Sequence, residues 1–388
     1  NDASATFEKN PFGYGNALLD SIRAFNAGSL LRKLALNRQL SELLNNGHNY
    51  SFSFTPNLHF KSIATDIIAI EANVEYTGRK ENTFSNLLYD FPKESATNSD
   101  FRRQWNDQHE YHQNYSLDGG YYFVFPNNLV IMPSYAISHQ RSRNCNPLYR
   151  LDKEDGWGAQ DFHPIGSLPS ETDFLLHTLD TQNSSWRHSV QTDQTAELGA
   201  SWNSVRNSEK LHWEVDARLP IVFSHESMDY RQADYNGKHT RHLTYCQPQF
   251  NIDHYWNEHS VGWNFKYRLN YRTTDMVNFL EIEQNADPLN TYNGNPNQKN
   301  TTTHYFSFYT FHNYKKAQSQ WDAYFTYTLT QNAQAMAYTL DRNTGVRHYT
   351  PDNVNGNYLL NANIGFSLPL DKLKRLTFEL RSYAQYTQ

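Results

Sequence analysis

Apolar and polar residues alternate along most of the chain with a period of two. In segment 261–272 one face reads Val, Trp, Phe, Tyr, Leu and Tyr, while the other reads Gly, Asn, Lys, Arg, Asn and Arg. Segments 209–223 and 356–370 repeat the pattern with aliphatic and aromatic residues on one face. Such alternation is typical of β-strands whose two faces meet different environments. The chain is therefore predicted to be all-β.

Twelve segments carry this alternation, and most of them are ten residues or longer. They are 49–61, 66–78, 111–125, 128–140, 188–203, 209–223, 240–256, 259–272, 303–314, 319–331, 356–370 and 374–386. A tilted strand of about 9–11 residues crosses a bilayer, whereas strands of soluble proteins average five or six.

The connections between these segments alternate in length. Short turns follow the odd-numbered segments, and long polar loops follow the even-numbered ones, at 79–110, 141–187, 224–239, 273–302 and 332–355. Short turns on one rim and long loops on the other indicate an antiparallel up-and-down transmembrane β-barrel with about twelve strands in this chain. A large soluble antiparallel sandwich also alternates and is the alternative fold.

The composition agrees with strands that are apolar on one face only. The chain has 388 residues, of which 15% are aromatic, and its mean hydropathy is −0.81. Polar loops and a polar second face explain how so aromatic a chain can be so hydrophilic on average. Apolar runs such as Ile67–Ile70 are far shorter than the roughly 20 residues of a membrane-spanning helix.

The net charge and the lack of known catalytic motifs argue against several classes of function. The net charge of −6 and the lack of Lys/Arg blocks argue against a nucleic-acid partner. The sequence contains no GxSxG, HExxH or P-loop motif, so no enzyme activity and no cofactor is predicted. Cys145 and Cys246 lie far apart without zinc-site spacing, and we expect no metal site. Whether these two cysteines pair is left open.

The ends of the chain suggest two further expectations. Residues 1–48 are predicted to be an extracellular loop or helical segment, because apolar residues recur at helical spacing around 16–44; residues 49–388 would hold the barrel strands. A short turn follows the first predicted strand and precedes the last, which would place both ends at the extracellular rim. We therefore expect an interior portion of a larger barrel, unless a strand near each end has been overlooked.

Two groups of residues are candidates for contact with a solute. Charged residues on the polar strand faces would point into the lumen, where salt bridges among themselves are the simpler role for each one. They are Glu214, Asp216, Arg218, Lys266, Arg268, Arg272, Glu379 and Arg381. Aromatic residues of the long loops could stack on a ligand or pack loop against loop. They are Trp105, Tyr149, Trp157, Trp186, Tyr230, Tyr292 and Tyr338.

The loop before the ninth segment has the most specific local sequence. It reads Gly294-Asn-Pro-Asn-Gln-Lys299, and an aromatic strand and the pair Lys315-Lys316 follow it. This resembles the GNPNLKPE loop of TonB-dependent receptors, and especially the outer-membrane β-barrel family of Bacteroidetes. Gln298 stands where the family usually has Leu, and Asn300-Thr301 replace its Pro-Glu. The resemblance is strong over 240–388 and only architectural before that.

The resemblance implies a 22-stranded barrel of the bacterial outer membrane, with a plug domain in its lumen and energy supplied by TonB. Such a receptor contacts the lipid bilayer and lipopolysaccharide and imports a nutrient. The chain itself contains no recognisable plug or TonB box. A structural or partner-binding barrel subunit of a surface or secretion complex, contacting other surface proteins, is the second interpretation. A barrel enzyme of lipase or protease type is a third, without a supporting motif.

Overall fold

The computed structural model describes residues 2–7, 35–61, 67–91, 99–204, 211–256, 260–314, 316–373 and 375–388, with side chains from Ala35 onward. The strands are β1 (Asp2–Phe7), β2 (Ala35–Phe54), β3 (Asn57–Lys61), β4 (Ile67–Asp90), β5 (Ser99–Val124), β6 (Leu129–Asn146), β7 (Leu148–Arg150), β8 (Ser185–Asn203), β9 (Leu211–Gln232), β10 (Tyr235–Cys246), β11 (Gln249–Trp256), β12 (Val261–Arg272), β13 (Gln284–Asp287), β14 (Asn290–Tyr292), β15 (Thr301–Tyr314), β16 (Ser319–Gln331), β17 (Ala333–Leu340), β18 (Arg347–Val354), β19 (Asn357–Pro369) and β20 (Thr377–Thr387).

Sixteen of these strands form one antiparallel sheet, which we call the wall. Its order is β1-β2-β4-β5-β6-β8-β9-β11-β12-β15-β16-β19-β20, so neighbours in the chain are neighbours in the sheet. Three further strands join this path: β3 continues β2 along β4, β10 continues β11 along β9, and β7 pairs with β5. The predicted all-β class and the up-and-down antiparallel order are confirmed. In the described part of the chain, β1 and β20 are the two ends of the order and do not pair with each other.

Each of the twelve predicted segments contributes to a wall strand, and β1 is an additional strand that the alternation did not predict. β1 pairs with the start of β2, so residues 35–48 are strand where a loop or helix was expected. The helical spacing of Leu40, Leu43 and Leu44 is overridden because β2 has continuous partners in β4. The rest of the expected helical segment, residues 16–34, lies outside the described residues.

The wall strands β4, β5, β6, β8 and β9 are longer than the sequence predicted. β4 has 24 residues and β5 has 26, so each extends roughly 80 Å, against a hydrocarbon core of about 30 Å. The segments 79–90, 99–110 and 224–239, predicted as loops, therefore belong largely to hairpins that continue the wall. Their alternation is hard to recognise because no lipid selects an apolar face there.

The pairing register is unbroken from β2 to β20, so each strand keeps the same face on the same side of the wall along its length. We call the side that carries Leu219, Ile221 and Phe223 of β9 the outer face. The opposite side, with Ser224 and Met228, is the inner face. Exposed apolar residues fill the outer face of the middle of the wall, whereas polar residues dominate its inner face.

A second, smaller sheet in the order β13-β14-β18-β17 arises from two segments that were predicted as long loops. We call these segments, residues 273–300 and 332–356, the cap. The pairing of β14 with β18 is parallel and joins the two segments. Among the described residues, the short helical elements are the 3₁₀ turns Leu151–Lys153 and Met276–Phe279 and the helix α1 (Phe174–His177). No helix among the described residues is long and apolar enough to span a membrane.

Residues 147–184, which we call the outer loop, pack on the outer face where the strands extend beyond its apolar region. Leu151, Trp157 and Phe174 of this loop form a buried cluster against Trp105 of β5 and Tyr149 of β7. Since the cap covers the inner face at the same height, the extended strands are covered on both sides. The Arg38–Asp90 ion pair between β2 and β4 is almost completely buried.

Arg103 connects the outer loop to the wall. Its guanidinium donates to the carbonyl oxygens of Trp157 and Asp161, at 3.1 Å each, and burial lowers its pKa from the ordinary value. We expect Arg103→Gln to weaken the docking of the outer loop by about 1.5–3 kcal/mol, because charge-assisted bonds are lost. Amide exchange in residues 150–180 should therefore accelerate.

Arg102 provides the matched control for this substitution, because it lies on the other face of β5 and bonds the cap. Its Nη1 donates to the carbonyl oxygens of Asn285, at 3.1 Å, and Ala286, at 2.8 Å. Arg102→Gln should accelerate exchange in the cap and leave the outer loop unchanged. Equal effects of the two variants on both segments would contradict the assignment of the two faces.

Candidate ligand-contact region

The inner face of β11, β12, β15 and β16 borders an open hollow of about 890 Å³ that is lined mainly by polar side chains. The lining residues are Asp253, Tyr255, Asn264, Lys266, Arg268, Asn270, Thr303, Tyr305, Ser307, Tyr309, Tyr324 and Thr328. Hydrogen bonds hold this surface in place: Asn264 donates to Asp253 at 2.7 Å, and the hydroxyls of Tyr305 and Tyr324 are 3.0 Å apart. The hollow thus offers charges of both signs and several phenol groups to a polar solute.

The charged residues predicted to face the lumen all lie on this inner side of the wall, but only some of them line the hollow. Lys266 and Arg268 line the hollow. Arg272 lies four residues beyond Arg268 on β12, opposite Thr301 of β15. Arg218 is 3.8 Å from Glu197 on the neighbouring strand. Glu214 and Asp216 face Asp253 and Asn251 of β11, while Glu379 and Arg381 face Ser367 and Gly365 of β19.

The cap is attached to the inner face by an apolar contact, one ion pair and one hydrogen bond from an arginine. Met276 and Leu280 of the cap pack against Met228 and Tyr230 of β9, and all four are buried. Arg187 of β8 pairs with Asp275 at 2.7 Å. Arg241 of β10 pairs with Glu226 of β9 and also donates to the carbonyl oxygen of Thr274 at 2.8 Å. One edge of the cap is therefore fixed at β8–β10.

The other edge of the cap reaches β2 and β5, which lie nearer the β1 end of the wall. Besides the bonds from Arg102 of β5, the side chain of Asn37 in β2 donates to the carbonyl oxygen of Thr344 at 3.2 Å. Since β2 and β9 are well separated in the sheet, the cap extends over the inner face between them.

Three tyrosines form a continuous row on the cap sheet. The ring of Tyr349 in β18 is 5.1 Å from that of Tyr292 in β14 and 5.5 Å from that of Tyr338 in β17. Tyr292 is 42% exposed and Tyr338 is 59% exposed, so the row presents aromatic surface to the solvent. Beside it, Tyr292, Met336 and Pro351 border a crevice of about 170 Å³ that reaches down to Tyr230.

Tyr349 should stabilise the cap sheet more than either of its neighbours. Each ring pair contributes about 0.5–1.5 kcal/mol beyond area burial, and Tyr349 takes part in two pairs. We expect Tyr349→Ala to accelerate amide exchange in both β14 and β17. Tyr338→Ala, which removes one pair, should affect β17 and spare β14; similar exchange in the two variants would refute a central role for Tyr349.

The structure separates the aromatic residues that the sequence grouped as ligand-contact candidates. Trp105, Tyr149 and Trp157 come together, but inside the cluster that docks the outer loop. Trp186 lies on the outer face under the guanidinium of Arg231. Tyr230 is buried beneath the cap, and this burial raises its pKa.

Tyr292 and Tyr338 are thus the candidates that present aromatic surface from the cap. Sequence reasoning missed the phenols of Tyr305 and Tyr324 in the hollow. For Tyr305 the sequence did contain a signal. Aromatic residues fall on both faces of segment 303–314, so some of them had to lie on the inner face.

No group of three or more His, Cys, Asp or Glu side chains that could hold a metal ion occurs among the described residues. Cys145 and Cys246 are both free thiols. They lie on the outer face of β6 and β10 respectively, on strands separated by β8 and β9.

No protein-family model matches the sequence, and no curated protein matches it. Among solved structures, the copper transporter OprC is similar at 10% identity and a TM-score of 0.45, covering 90% of this chain and 57% of its own. The ferric yersiniabactin uptake receptor FyuA from Yersinia pestis is similar at 7% identity and 0.43, covering 91% and 57%.

A third similar structure is the Serratia marcescens hemophore receptor HasR in complex with HasA and heme, at 8% identity and a TM-score of 0.42, covering 90% and 54%. The chain thus spans little more than half the length of these three chains. Likeness at this level concerns the arrangement of strands and carries no argument about what this chain binds.

Proposed function

We propose that the chain forms part of the wall of a bacterial outer-membrane β-barrel, and that this barrel is a TonB-dependent receptor that imports a nutrient. The observation that carries the membrane location is the exposure of large apolar side chains on the outer face. Leu198, Leu219 and Ile364 are 47–57% exposed although their strands are fully paired. In a water-soluble sheet such a surface would need a covering layer, whereas lipid solvates it directly.

The import function is supported by the opposite face. The hollow behind β12 and β15 is polar and carries Lys266 and Arg268, so it suits the passage of a hydrated or charged solute rather than a packed protein core. The cap lies over this side and presents the Tyr292–Tyr349–Tyr338 row, which suits stacking on a planar or ring-shaped ligand. Recognition at the cap would precede passage along the hollow.

The dependence on TonB and a plug domain rests on the resemblance of the loop at Gly294–Lys299. In the structure this loop is tightly fitted: a Cβ added at Gly294 would lie 2.0 Å from the carbonyl oxygen of Leu280 and 2.9 Å from that of Asn278. A side chain at position 294 would collide with the backbone at Leu280 and Asn278 and displace this part of the cap. The glycine of the motif therefore has a structural reason in this chain.

A second function, binding of a partner protein at the cell surface, is favoured by the length of β4 and β5. Both strands are more than twice as long as a strand that crosses a bilayer. Their extended parts, covered by the cap on one face and by the outer loop on the other, would therefore project well above the membrane. Such an edge suits a protein partner in a surface or secretion complex.

Growth of deletion strains distinguishes the two functions. The gene for the complete protein and the gene for TonB are deleted separately, and growth is followed on media limited in turn for iron, copper, haem or a defined oligosaccharide. An identical defect on one nutrient in both strains supports import. Normal growth of the gene-deleted strain on every medium, with loss of a protein crosslinked to the wild-type surface, would instead support the partner-binding function.

A further inference from the structure

Two exposed histidines meet on the outer face of the β9–β10 hairpin. His225 of β9 and His242 of β10 are direct cross-strand partners, and their Nδ1 atoms are 3.2 Å apart. His225 follows Phe223 by two residues, which places the pair on the outer face, away from the hollow. The two histidines are 17 positions apart in the chain and come together only through the strand register, so no local motif could reveal them.

The separation of the two nitrogens fits a shared metal ion. Imidazole nitrogens bind Zn²⁺ at about 2.0–2.1 Å, so two nitrogens 3.2 Å apart subtend an angle of roughly 100–105° at such an ion. This angle lies between about 90° for square-planar coordination and about 109° for tetrahedral coordination. Small rotations of the two rings, whose centroids are 4.4 Å apart, suffice to direct both lone pairs at one ion.

The pairing of the strands holds both side chains in position before an ion arrives. The register between β9 and β10 is continuous from Ile221 to Gln232, and β8 pairs with the other edge of β9 through the same stretch. Directly opposed residues of antiparallel strands have Cβ atoms about 4.5–5.5 Å apart. The backbone thus sets the distance between the two rings, and little conformational freedom is lost when they share a ligand.

The surroundings of the pair permit a divalent cation. Glu226 and Arg241 project to the inner face, where they pair with each other. The outer-face residues next to the pair are uncharged: Phe223, Ser227, Thr240 and Thr244 on the two strands and Thr192 on β8. Asp229 and Lys238, the next charged residues of the outer face on these strands, lie four residues further along, at about 13 Å. No basic side chain on the described β9 and β10 is therefore close enough to repel an ion.

Water can complete the coordination because the pair is open to solvent. Both histidines are exposed, and in the part of the chain that the structure describes β10 pairs only with β9. His139 of β6 lies at the same register but is separated from His225 by β8 and bonds Thr192 at 3.0 Å, so it is not a third ligand. Imidazole suits Cu²⁺, Ni²⁺ and Zn²⁺, whereas Ca²⁺ and Mg²⁺ prefer oxygen ligands.

We infer that His225 and His242 form a surface binding site for a divalent transition-metal ion, which binds Cu²⁺ more tightly than Ni²⁺ or Zn²⁺. The two imidazoles supply two neighbouring coordination positions, and water supplies the others. The site requires only the β9–β10 hairpin and lies on the side of the wall opposite the hollow. It is therefore independent of both proposed functions, and an ion bound there would link the two strands of the hairpin.

Electron paramagnetic resonance of bound copper tests this site. The complete protein is folded into phosphatidylcholine vesicles and titrated with Cu²⁺ alone. The wild-type spectrum should contain a component with hyperfine splitting from two nitrogens. H225Q and H242Q should each weaken the binding of this copper by at least about tenfold, because residues that only orient a metal ligand are already worth about 10–100-fold. The matched control H139Q removes a histidine at the same register and should bind copper as the wild type does.

Two further arms test the class of ion and the linking of the strands. Excess Zn²⁺ should displace this copper and excess Ca²⁺ should not; displacement by Ca²⁺ would show an oxygen site and overturn the inference. Zn²⁺ should also slow amide exchange of β10 in the wild type and not in H242Q, because a bound ion stabilises the paired hairpin. Unchanged exchange of wild-type β10 with Zn²⁺, or equal copper binding by the wild type, H225Q and H242Q, would also overturn it.

Discussion

Replacing Ile364 by arginine should destabilise the barrel by about 2–4 kcal/mol, which is the cost of a basic side chain on the lipid face near the bilayer midplane. Ile364 lies in the middle of β19, is 52% exposed and projects from the outer face beside Ala323. In water the same change would be nearly neutral, because arginine at an exposed strand position is well solvated. The large effect is therefore specific to a membrane location.

Asn363→Arg is the control, because Asn363 projects from the inner face of the same strand and lies opposite Tyr324. This variant places the same charge next to a polar hollow and should change stability by less than about 1 kcal/mol. Urea unfolding of both variants in lipid vesicles, followed by tryptophan fluorescence, measures the difference. Equal stability of the two variants would mean that β19 does not have a lipid side.

Met228→Ala should release the edge of the cap that is held at β9. Met228 is fully buried between Met276 and Leu280 of the cap and its own strand, so truncation leaves a cavity and costs about 2–5 kcal/mol. This cost falls on a docked segment rather than on the paired wall. Amide exchange should accelerate through residues 276–294, while the middle of β9 keeps its protection.

Met336→Ala serves as the matched control for the cap, since Met336 belongs to the cap but is 51% exposed. Its truncation removes little buried surface and should leave exchange in residues 276–294 close to that of the wild type. If Met228→Ala and Met336→Ala gave the same exchange pattern, the apolar contact with β9 would not be what holds the cap.

Most of the membrane part of the fold follows from the sequence. Period-two alternation located all twelve predicted strands, because lipid on one side and water on the other impose opposite demands on successive residues. The same rule assigned Lys266 and Arg268 to the polar face, where they line the hollow. Successive residues of a strand point to opposite faces, so one known residue assigns the face of all the others as long as the strand contains no bulge.

The strands and contacts of the region above the membrane could not be predicted from the alternation of apolar and polar residues. β17 has apolar residues on both faces and β18 has polar residues on both faces, so neither shows the alternation that distinguishes a strand from a loop. The contact of Met228 with Met276 depends on how far the cap folds back over the wall, which is a tertiary property. For the same reason Trp105, chosen as a loop aromatic, is a wall residue that docks the outer loop.

The central claim is that the outer face of the wall meets lipid and the inner face meets water, and spin labels on consecutive residues of β19 test it most directly. Single cysteines at Leu360, Asn361, Ala362, Asn363 and Ile364, in a background without Cys145 and Cys246, are labelled in lipid vesicles. Collision with oxygen and with a water-soluble nickel chelate is then measured at each site. The account predicts that oxygen dominates at 360, 362 and 364 and the chelate at 361 and 363. Equal access of the chelate at all five sites would contradict it.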